Sequence, residues 1–300
     1  MRPQIARSRR ALLIEGRAAR PSERPESREE PVLVTKSQRP GLPALIAFAH
    51  ELADISGAAI LPYFRRPIPV KNKAGKGGFD PVTVADRSAE RAISRALAKH
   101  WPEHGLIGEE FGCRHAPGGL HWVVDPIDGT RAFILGLPVW GTLIGLMDGD
   151  TPLFGMMDQP YMRERFWSGV RASYFCGPDG KQRRLKCRAC NRLGHAMLSA
   201  THPDMFAPGV EQHGFATVKA RARATRYGGD CYAYCMLAAG HIDVIVEAGL
   251  KAHDVVALIP IIERAGGCIT TWDGSSAAGG GRIVATGDPH LHEEVLRSLA

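Results

Sequence analysis

No stretch of this chain approaches the ~18 consecutive apolar residues of a membrane-spanning helix, which argues against an integral membrane protein. Heptad and Gly-X-Y periods are missing, which excludes a coiled coil and a collagen, and there is no internal repeat. A disulfide framework is missing as well. The seven cysteines, Cys113, Cys176, Cys187, Cys190, Cys231, Cys235 and Cys268, are odd in number and scattered. That pattern suits a reducing compartment, here the cytoplasm, better than secretion. Strong charge is also lacking where a folded body is expected. Residues 1–40 carry ten Lys/Arg against five Glu, whereas residues 41–300 carry 28 basic against 26 acidic residues, so +5 of the net +7 belongs to the first forty positions. The pI of about 9.2 therefore describes the extension, and it gives no reason to expect a nucleic-acid partner.

Residues 1–40 are rich in Arg, Pro, Ser and Glu, with apolar residues only at Ala11–Ile14 and Val32–Val34. A disordered extension, or an over-called start, is expected. The apolar run is too short for a secretory signal, and Glu15, Glu23, Glu26, Glu29 and Glu30 argue against a transit peptide. What remains is 44% hydrophobic and 23% charged overall, ordinary for a globular chain of 300 residues in one large or two modest domains.

Leu45, Phe48, Ala49, Leu52, Ile55, Ala59 and Ile60 fall at helical spacing and predict a helix over 44–64. A basic, glycine-rich loop follows at Lys71–Gly78, open to a substrate phosphate or simply to solvent. Thr83 or Asp80 can cap a second helix running to His100. Short strands are expected at 121–124, 139–147, 153–157, 164–168 and 174–176, following one another through turns and so pairing antiparallel. Beyond about residue 185, strands at 196–200, within 218–226, at 242–247, 268–272 and 283–285 alternate with helices at 231–239, 254–265 and from Pro289, a rhythm that favours parallel pairing. Pro260 should kink the helix that contains it.

Chemistry concentrates in Asp125-Pro126-Ile127-Asp128-Gly129-Thr130. An apolar strand delivers Asp125 to its end. Pro126 keeps Asp125 extended and stops the strand, and Asp128 returns around the turn toward the same point. Gly129 tolerates a backbone that bares its N–H, and Thr130 can cap a short helix whose N-terminus would cradle phosphate. Alone, such a segment is more often a plain helix-capping turn. Glu109 at the end of another strand and Asp254 at the start of a later helix give it company, and hard oxygen ligands beside a phosphate cradle imply Mg²⁺.

These motifs, Gly108-Glu109-Glu110, 122–130 (WVVDPIDGT) and 253–257 (HDVVA), with Asp80-x-x-Thr83-x-x-Asp86 upstream, resemble the inositol-monophosphatase-like superfamily of Mg²⁺-dependent, lithium-sensitive phosphatases over residues 44–298. The stretches 130–146, 226–234 and 249–267 look most like its histidinol-phosphate phosphatases. The resemblance implies a layered αβαβα sandwich of the sugar-phosphatase type, with an antiparallel-sheet half at 41–187 and a mixed α/β half at 188–300. It further implies hydrolysis of a small phosphate monoester, with L-histidinol phosphate of histidine biosynthesis foremost. Inositol 1-phosphate, a broad monophosphatase range and 3′-phosphoadenosine 5′-phosphate are the alternatives, and the assembly implied is a homodimer without a membrane. Glu109, Asp125, the Ile127 carbonyl, Asp128 and Asp254 would ligate two or three Mg²⁺. Gly129 and Thr130 would hold phosphate, and Thr130 bonded to Asp80 would place the attacking water, with Glu109 beside it. Arg226, Asp230 and Glu247, together with Asp128 and Asp254, would face the substrate, the acidic pair suiting a cationic amino alcohol. One departure is His253, where the family usually has Trp or Tyr. A zinc site from Cys187-x-x-Cys190 with Cys231 and Cys235 is weighed against core packing, and the spacing favours the core.

Overall fold

The computed structural model describes residues 41–73, 81–115 and 119–299. The N-terminal extension, the glycine-rich loop beyond Lys73, and Asp80 lie outside them. The described residues open with α1 (Leu42–Ile60), long and apolar enough by composition to cross a membrane. Its stripe of Leu45, Phe48, Ala49, Leu52 and Ala53 is instead buried against α2 (Val84–His100), as in a core helix. The short strands β1 (Val70–Asn72) and β2 (Pro81–Thr83) pair antiparallel between them. Thr83 caps α2: its hydroxyl accepts from Ala85 N, and its own N–H donates to Asp86 Oδ2 at 2.9 Å. Such a reciprocal cap stabilises a helix start by about 1 kcal/mol.

There follow β3 (Gly105–Gly108), β4 (Gly112–Arg114), β5 (Leu120–Asp128), the single-turn α3 (Thr130–Ile134), β6 (Gly141–Asp148), β7 (Thr151–Gln159), β8 (Glu164–Ser168), β9 (Ser173–Cys176) and β10 (Gln182–Arg184). Among the described residues these strands form one sheet in the order β10-β9-β8-β7-β6-β5-β3-β4. A second sheet has the order β12-β11-β13-β15-β14, built from β11 (Met197–Ala200), β12 (Ala224–Tyr227), β13 (Val244–Leu250), β14 (Cys268–Thr271) and β15 (Gly281–Thr286). The helices of this region are α4 (Val210–Arg221), α5 (Asp230–Ala238), α6 (Ala252–Val255), α7 (Leu258–Arg264) and α8 (Pro289–Leu299).

Strand alternation sorts the side chains into layers. On β6 and β7, Ile144, Leu146, Phe154 and Met156 face α1 and α2, while Leu143 and Met157 face α5 and α7. On β13 and β15, Ile245, Ile283 and Ala285 meet the same α5 and α7, while Val244, Val246 and Val284 meet α4 and α8. The result is an αβαβα sandwich, as the resemblance implies.

Two glycines set the central layer. Gly145 and Gly155 are cross-strand partners on β6 and β7, and the chain at Val256–Ala257 packs into the dent they leave. A Cβ on Gly155 would stand 1.7 Å from the Ala257 carbonyl oxygen. This close approach fixes the segment immediately after Asp254.

Five expectations need correction. β3 lies parallel to β5 within the otherwise antiparallel run, because the chain returns to the sheet through β4 and a crossover. β5 does not stop at Asp125. It continues to Asp128 with a register shift between those two residues, the kind of irregularity a proline without an N–H imposes. Helix α4 occupies residues read partly as strand; only Gly214, Phe215 and Val218 are buried on it, too weak a stripe to announce a helix. In the second sheet, β11 pairs parallel with β12 and β13, but β15 pairs antiparallel with both its neighbours. The helix expected over 254–265 is broken into α6 and α7 at Val256–Ala257, because Pro260 cannot donate to the carbonyl four residues back, which is that of Val256.

Candidate active site

The parallel pairing of β3 with β5 matches Gly108 to Val124, so the next residues, Glu109 and Asp125, stand side by side. Asp125 is buried and bends the chain by accepting from Ile127 N at 3.0 Å. Ile127 is fully buried among Ile60, Phe64, Phe133 and Trp140, which nails the turn to the first half of the chain. The buried Thr142 hydroxyl donates to Pro126 O at 2.8 Å and is hydrogen-bonded to Ser56 Oγ at 3.0 Å. Asp128 follows, and its Oδ2 accepts from Cys231 N at 2.7 Å, at the start of α5. Gly129 takes φ 83°, and Thr130 Oγ1 donates to Ile127 O at 3.1 Å. Asp254 arrives from β13 through α6, its Oδ2 accepting from Lys251 N at 2.7 Å.

Asp125, Asp128 and Asp254 each offer an oxygen within 4.8 Å of the others. Burial pushes the Asp125 carboxyl well above the usual range, and the charges of Glu109, Asp128 and Asp254 push it further. Asp128 is raised well above its ordinary value by burial and by Asp230 and Asp254. Asp254 is raised by burial and Glu109, with His253 opposing; His253 Nε2 lies 3.4 Å from Asp254 Oδ1. Burial acts to raise Glu109 too, but Lys73, 2.6 Å from Glu109 Oε1, outweighs it and leaves Glu109 lowered. Like-charged buried carboxyls of this kind fit a hard divalent cation, which would neutralise them with the oxygen ligands it prefers.

Asp230 is the first residue of α5 and takes φ 43°. A Cβ on Gly129 would meet its carboxyl carbon at 3.1 Å, so the Gly129 backbone lies directly against the Asp230 side chain. Burial raises the Asp230 carboxyl to about 6, against the opposing charge of Arg131.

Thus Glu109, Asp125, Asp128, Asp254, Asp230 and the Gly129–Thr130 turn come together. Asp80 lies outside the described residues. Arg226 is exposed on β12 and makes no ion pair with Asp230 or any other described residue. Glu247 does not line the cleft: it is 3% exposed, with Oε1 accepting from Thr201 N and Oε2 from Tyr234 Oη. The sequence did not reveal Lys73 as the counter-charge of Glu109 and Glu110, nor the Ser56–Thr142 pair, nor the N–H of Cys231. Of these only Lys73 had a visible signal, its place in the basic loop. All seven cysteines are free thiols, and Cys187, Cys231 and Cys235 are buried in the central core, so no zinc cluster forms among the described residues.

A five-layer sandwich with convergent carboxylates beside a bared turn defines a phosphoric monoester hydrolase with an acidic centre able to hold metal. The comparisons give the family. The model of the inositol monophosphatase family matches residues 42–300. The chloroplastic bifunctional phosphatase IMPL2 of Arabidopsis thaliana is 37% identical over 98% of this chain and 84% of its own length. The histidinol-phosphatase of Mycobacterium tuberculosis is 35% identical over 75% of this chain and 86% of its own. The solved inositol monophosphatase of Zymomonas mobilis superposes with a TM-score of 0.76 at 38% identity, covering 87% of this chain and 99% of that one. The chain belongs to the inositol monophosphatase family.

Proposed function

We propose that the protein hydrolyses L-histidinol phosphate to L-histidinol and phosphate in a Mg²⁺-dependent reaction with water as the nucleophile, a step of histidine biosynthesis. Glu109, Asp125, the Ile127 carbonyl, Asp128 and Asp254 are the residues that would hold the metal. The chemistry supplied by Mg²⁺ on these oxygens is activation of water, neutralisation of the phosphate and stabilisation of the departing alkoxide. The N–H groups of Gly129 and Thr130 bind the phosphate oxygens, and the Thr130 hydroxyl orients the attacking water. In this reading the first sheet, within 41–187, supplies most of the metal ligands, and the segment 188–300 supplies Asp254 and the pocket for the alcohol. The free state of all seven cysteines supports a reducing compartment, the cytoplasm. The family resemblance supports a homodimeric assembly.

The observation that carries the substrate is Asp230. Its carboxyl sits against Gly129, the phosphate-binding turn, and is additional to the metal set. A carboxylate there would oppose phosphate but pair with a cationic leaving group, which histidinol has and inositol lacks. Relatives named histidinol-phosphatase at 32–35% identity support the same choice. Inositol 1-phosphate remains the second reading, supported by the relative named inositol-1-monophosphatase at 32% identity. Phosphate release from histidinol phosphate, inositol 1-phosphate and 3′-phosphoadenosine 5′-phosphate, measured side by side with Mg²⁺, tests it. Histidinol phosphate should give the highest kcat/KM, and Asp230→Asn should reduce that advantage. A higher kcat/KM for inositol 1-phosphate would overturn the assignment.

A further inference from the structure

Helix α2 carries Arg87, Arg91, Arg95 and Lys99 at intervals of four, a stripe along one side of the helix. Its two acids, Asp86 and Glu90, are both buried, so the exposed charge of the helix is entirely basic. Like charges at this spacing repel one another along the helix face. Arg87 is relieved by Glu110, 3.6 Å away, but Arg91 and Arg95 have no carboxylate partner among the described residues. Beside them the β3–β4 hairpin closes a cavity of about 290 Å³, lined by Arg91, Arg95, Ser94, Phe111, Cys113 and Arg114 among others.

The lining has the chemistry of an anion receptor. Phe111 is 50% exposed, and the Arg91 guanidinium lies 4.9 Å from its ring centre. Arg114 donates through Nη2 to His104 O at 3.0 Å, while its buried Nε has no partner among the described residues. Glu90, the one acid in the wall, is turned away from this role: its oxygens accept from Glu110 N and Phe111 N at 2.7 and 3.0 Å. Three arginines thus line one small groove whose one acid, Glu90, is engaged by backbone N–H groups, and guanidinium forks match phosphate oxygens best. None of the carboxylates of the metal cluster lines this cavity.

We infer that the groove between α2 and the β3–β4 hairpin binds a small phosphate-bearing molecule through Arg91, Arg95 and Arg114, at a site separate from the catalytic carboxylates. The volume limits the ligand to metabolite size. The exposed Phe111 ring accommodates an organic moiety, so free inorganic phosphate and an organic phosphate are the two sources of the same chemistry.

Cys113 is exposed in the cavity wall and serves as a local reporter. The full chain, stripped of metal with EDTA so that the acidic cluster repels phosphate, is treated with N-ethylmaleimide. Modification of Cys113 is followed by peptide mass mapping in the presence of AMP, inorganic phosphate or adenosine. AMP, inorganic phosphate or both should slow labelling of Cys113, and adenosine, lacking the charge, should not. Arg91→Ala and Arg95→Ala should each raise the protecting concentration roughly tenfold, with kcat on the phosphatase substrate unchanged. Protection by inorganic phosphate as good as by AMP identifies the free ion as the ligand; protection by AMP alone identifies an organic phosphate. Lack of protection by either phosphate-bearing probe, equal protection by adenosine, or protection that survives both Arg substitutions would overturn the proposal.

Discussion

The N–H of Cys231 donates to Asp128 Oδ2 at 2.7 Å, joining the start of α5 to the end of β5. The bond spans 103 residues and brings an open helix N-terminus, a centre of positive potential, to a carboxylate that has three acidic neighbours. Helix α5 therefore helps to hold Asp128 in place before any cation arrives, and carries Asp230 to the mouth of the same site.

The first prediction follows from that crowding. Asp128→Asn keeps the acceptor for Cys231 N but removes one negative charge. In metal-free protein this relieves repulsion with Asp230 and Asp254, so stability to urea should hold or rise. Metal affinity should fall, and kcat/KM should drop at least ~10²-fold, about 2.7 kcal/mol of transition-state stabilisation. Thr130→Ala should instead leave the Mg²⁺ dependence largely intact while kcat declines. Rate measured against Mg²⁺ concentration for both variants separates the roles. A near-normal rate and unchanged Mg²⁺ requirement in Asp128→Asn would reduce the 125–130 segment to a structural turn.

Behind the turn, Thr142 is the support most exposed to test. Its hydroxyl serves both Pro126 O and Ser56 Oγ in a fully buried setting. Thr142→Val keeps the shape but leaves two buried polar groups unpaired, at a cost of about 1–3 kcal/mol. Thr142→Ser retains the hydroxyl and should lose less. Urea unfolding measures the difference, and kcat should fall in the Val variant as the aspartates lose their register. Equal stability in the two variants would mean that the hydroxyl does not hold the turn.

The carboxylate pattern was legible in the sequence because it is local: each aspartate or glutamate ends a short apolar strand or opens a helix, whereas the αβαβα order came from the family resemblance of these motifs and not from the strand and turn pattern itself. What the sequence concealed is tertiary. Glu247 read as the open end of a strand, but β13 runs on to Leu250 and turns Glu247 inward with Ile245, onto Tyr234. Lys73 could have met substrate, solvent or Glu109, and only the folded chain decides among these. The break at Val256–Ala257 was foreseeable from Pro260, but the dent that receives it needs Gly145 and Gly155 paired across two strands.

That dent gives a packing test. Gly155→Ala drives a methyl against the Ala257 carbonyl, which is backbone and cannot rotate aside. The helical layer must shift, costing about 1–3 kcal/mol or more, and Asp254, three residues upstream, should shift with it. Both Tm and metal affinity should fall. Gly149→Ala is the control: its φ is 56° and nothing lies within 4 Å, so it should cost only ~1–2 kcal/mol of backbone strain and leave metal affinity alone. Equal metal affinity in the two variants would dissociate Asp254 from the glycine dent.

The last prediction concerns pH. Burial pushes the Glu247 carboxyl up from 4.5 to about 7, although hydrogen bonds from Thr201 and Tyr234 pull the other way. The native state therefore holds this proton more tightly than the unfolded chain does. Between about pH 4.5 and 7 the unfolded state binds fewer protons, so the slope of stability with pH is negative, and stability present below that window is lost as pH rises through it. A shift of this size is worth about 3 kcal/mol for a group so completely buried. Glu247→Gln has no proton to lose, and its amide can donate to the Tyr234 oxygen while its carbonyl accepts from Thr201 N. Unfolding of EDTA-treated protein by urea at pH 5.5 and pH 8 should show the wild type losing stability relative to Glu247→Gln as pH rises, with the variant the more stable at pH 8. Parallel pH dependence in the two proteins would show that Glu247 is charged in the native state across the whole window.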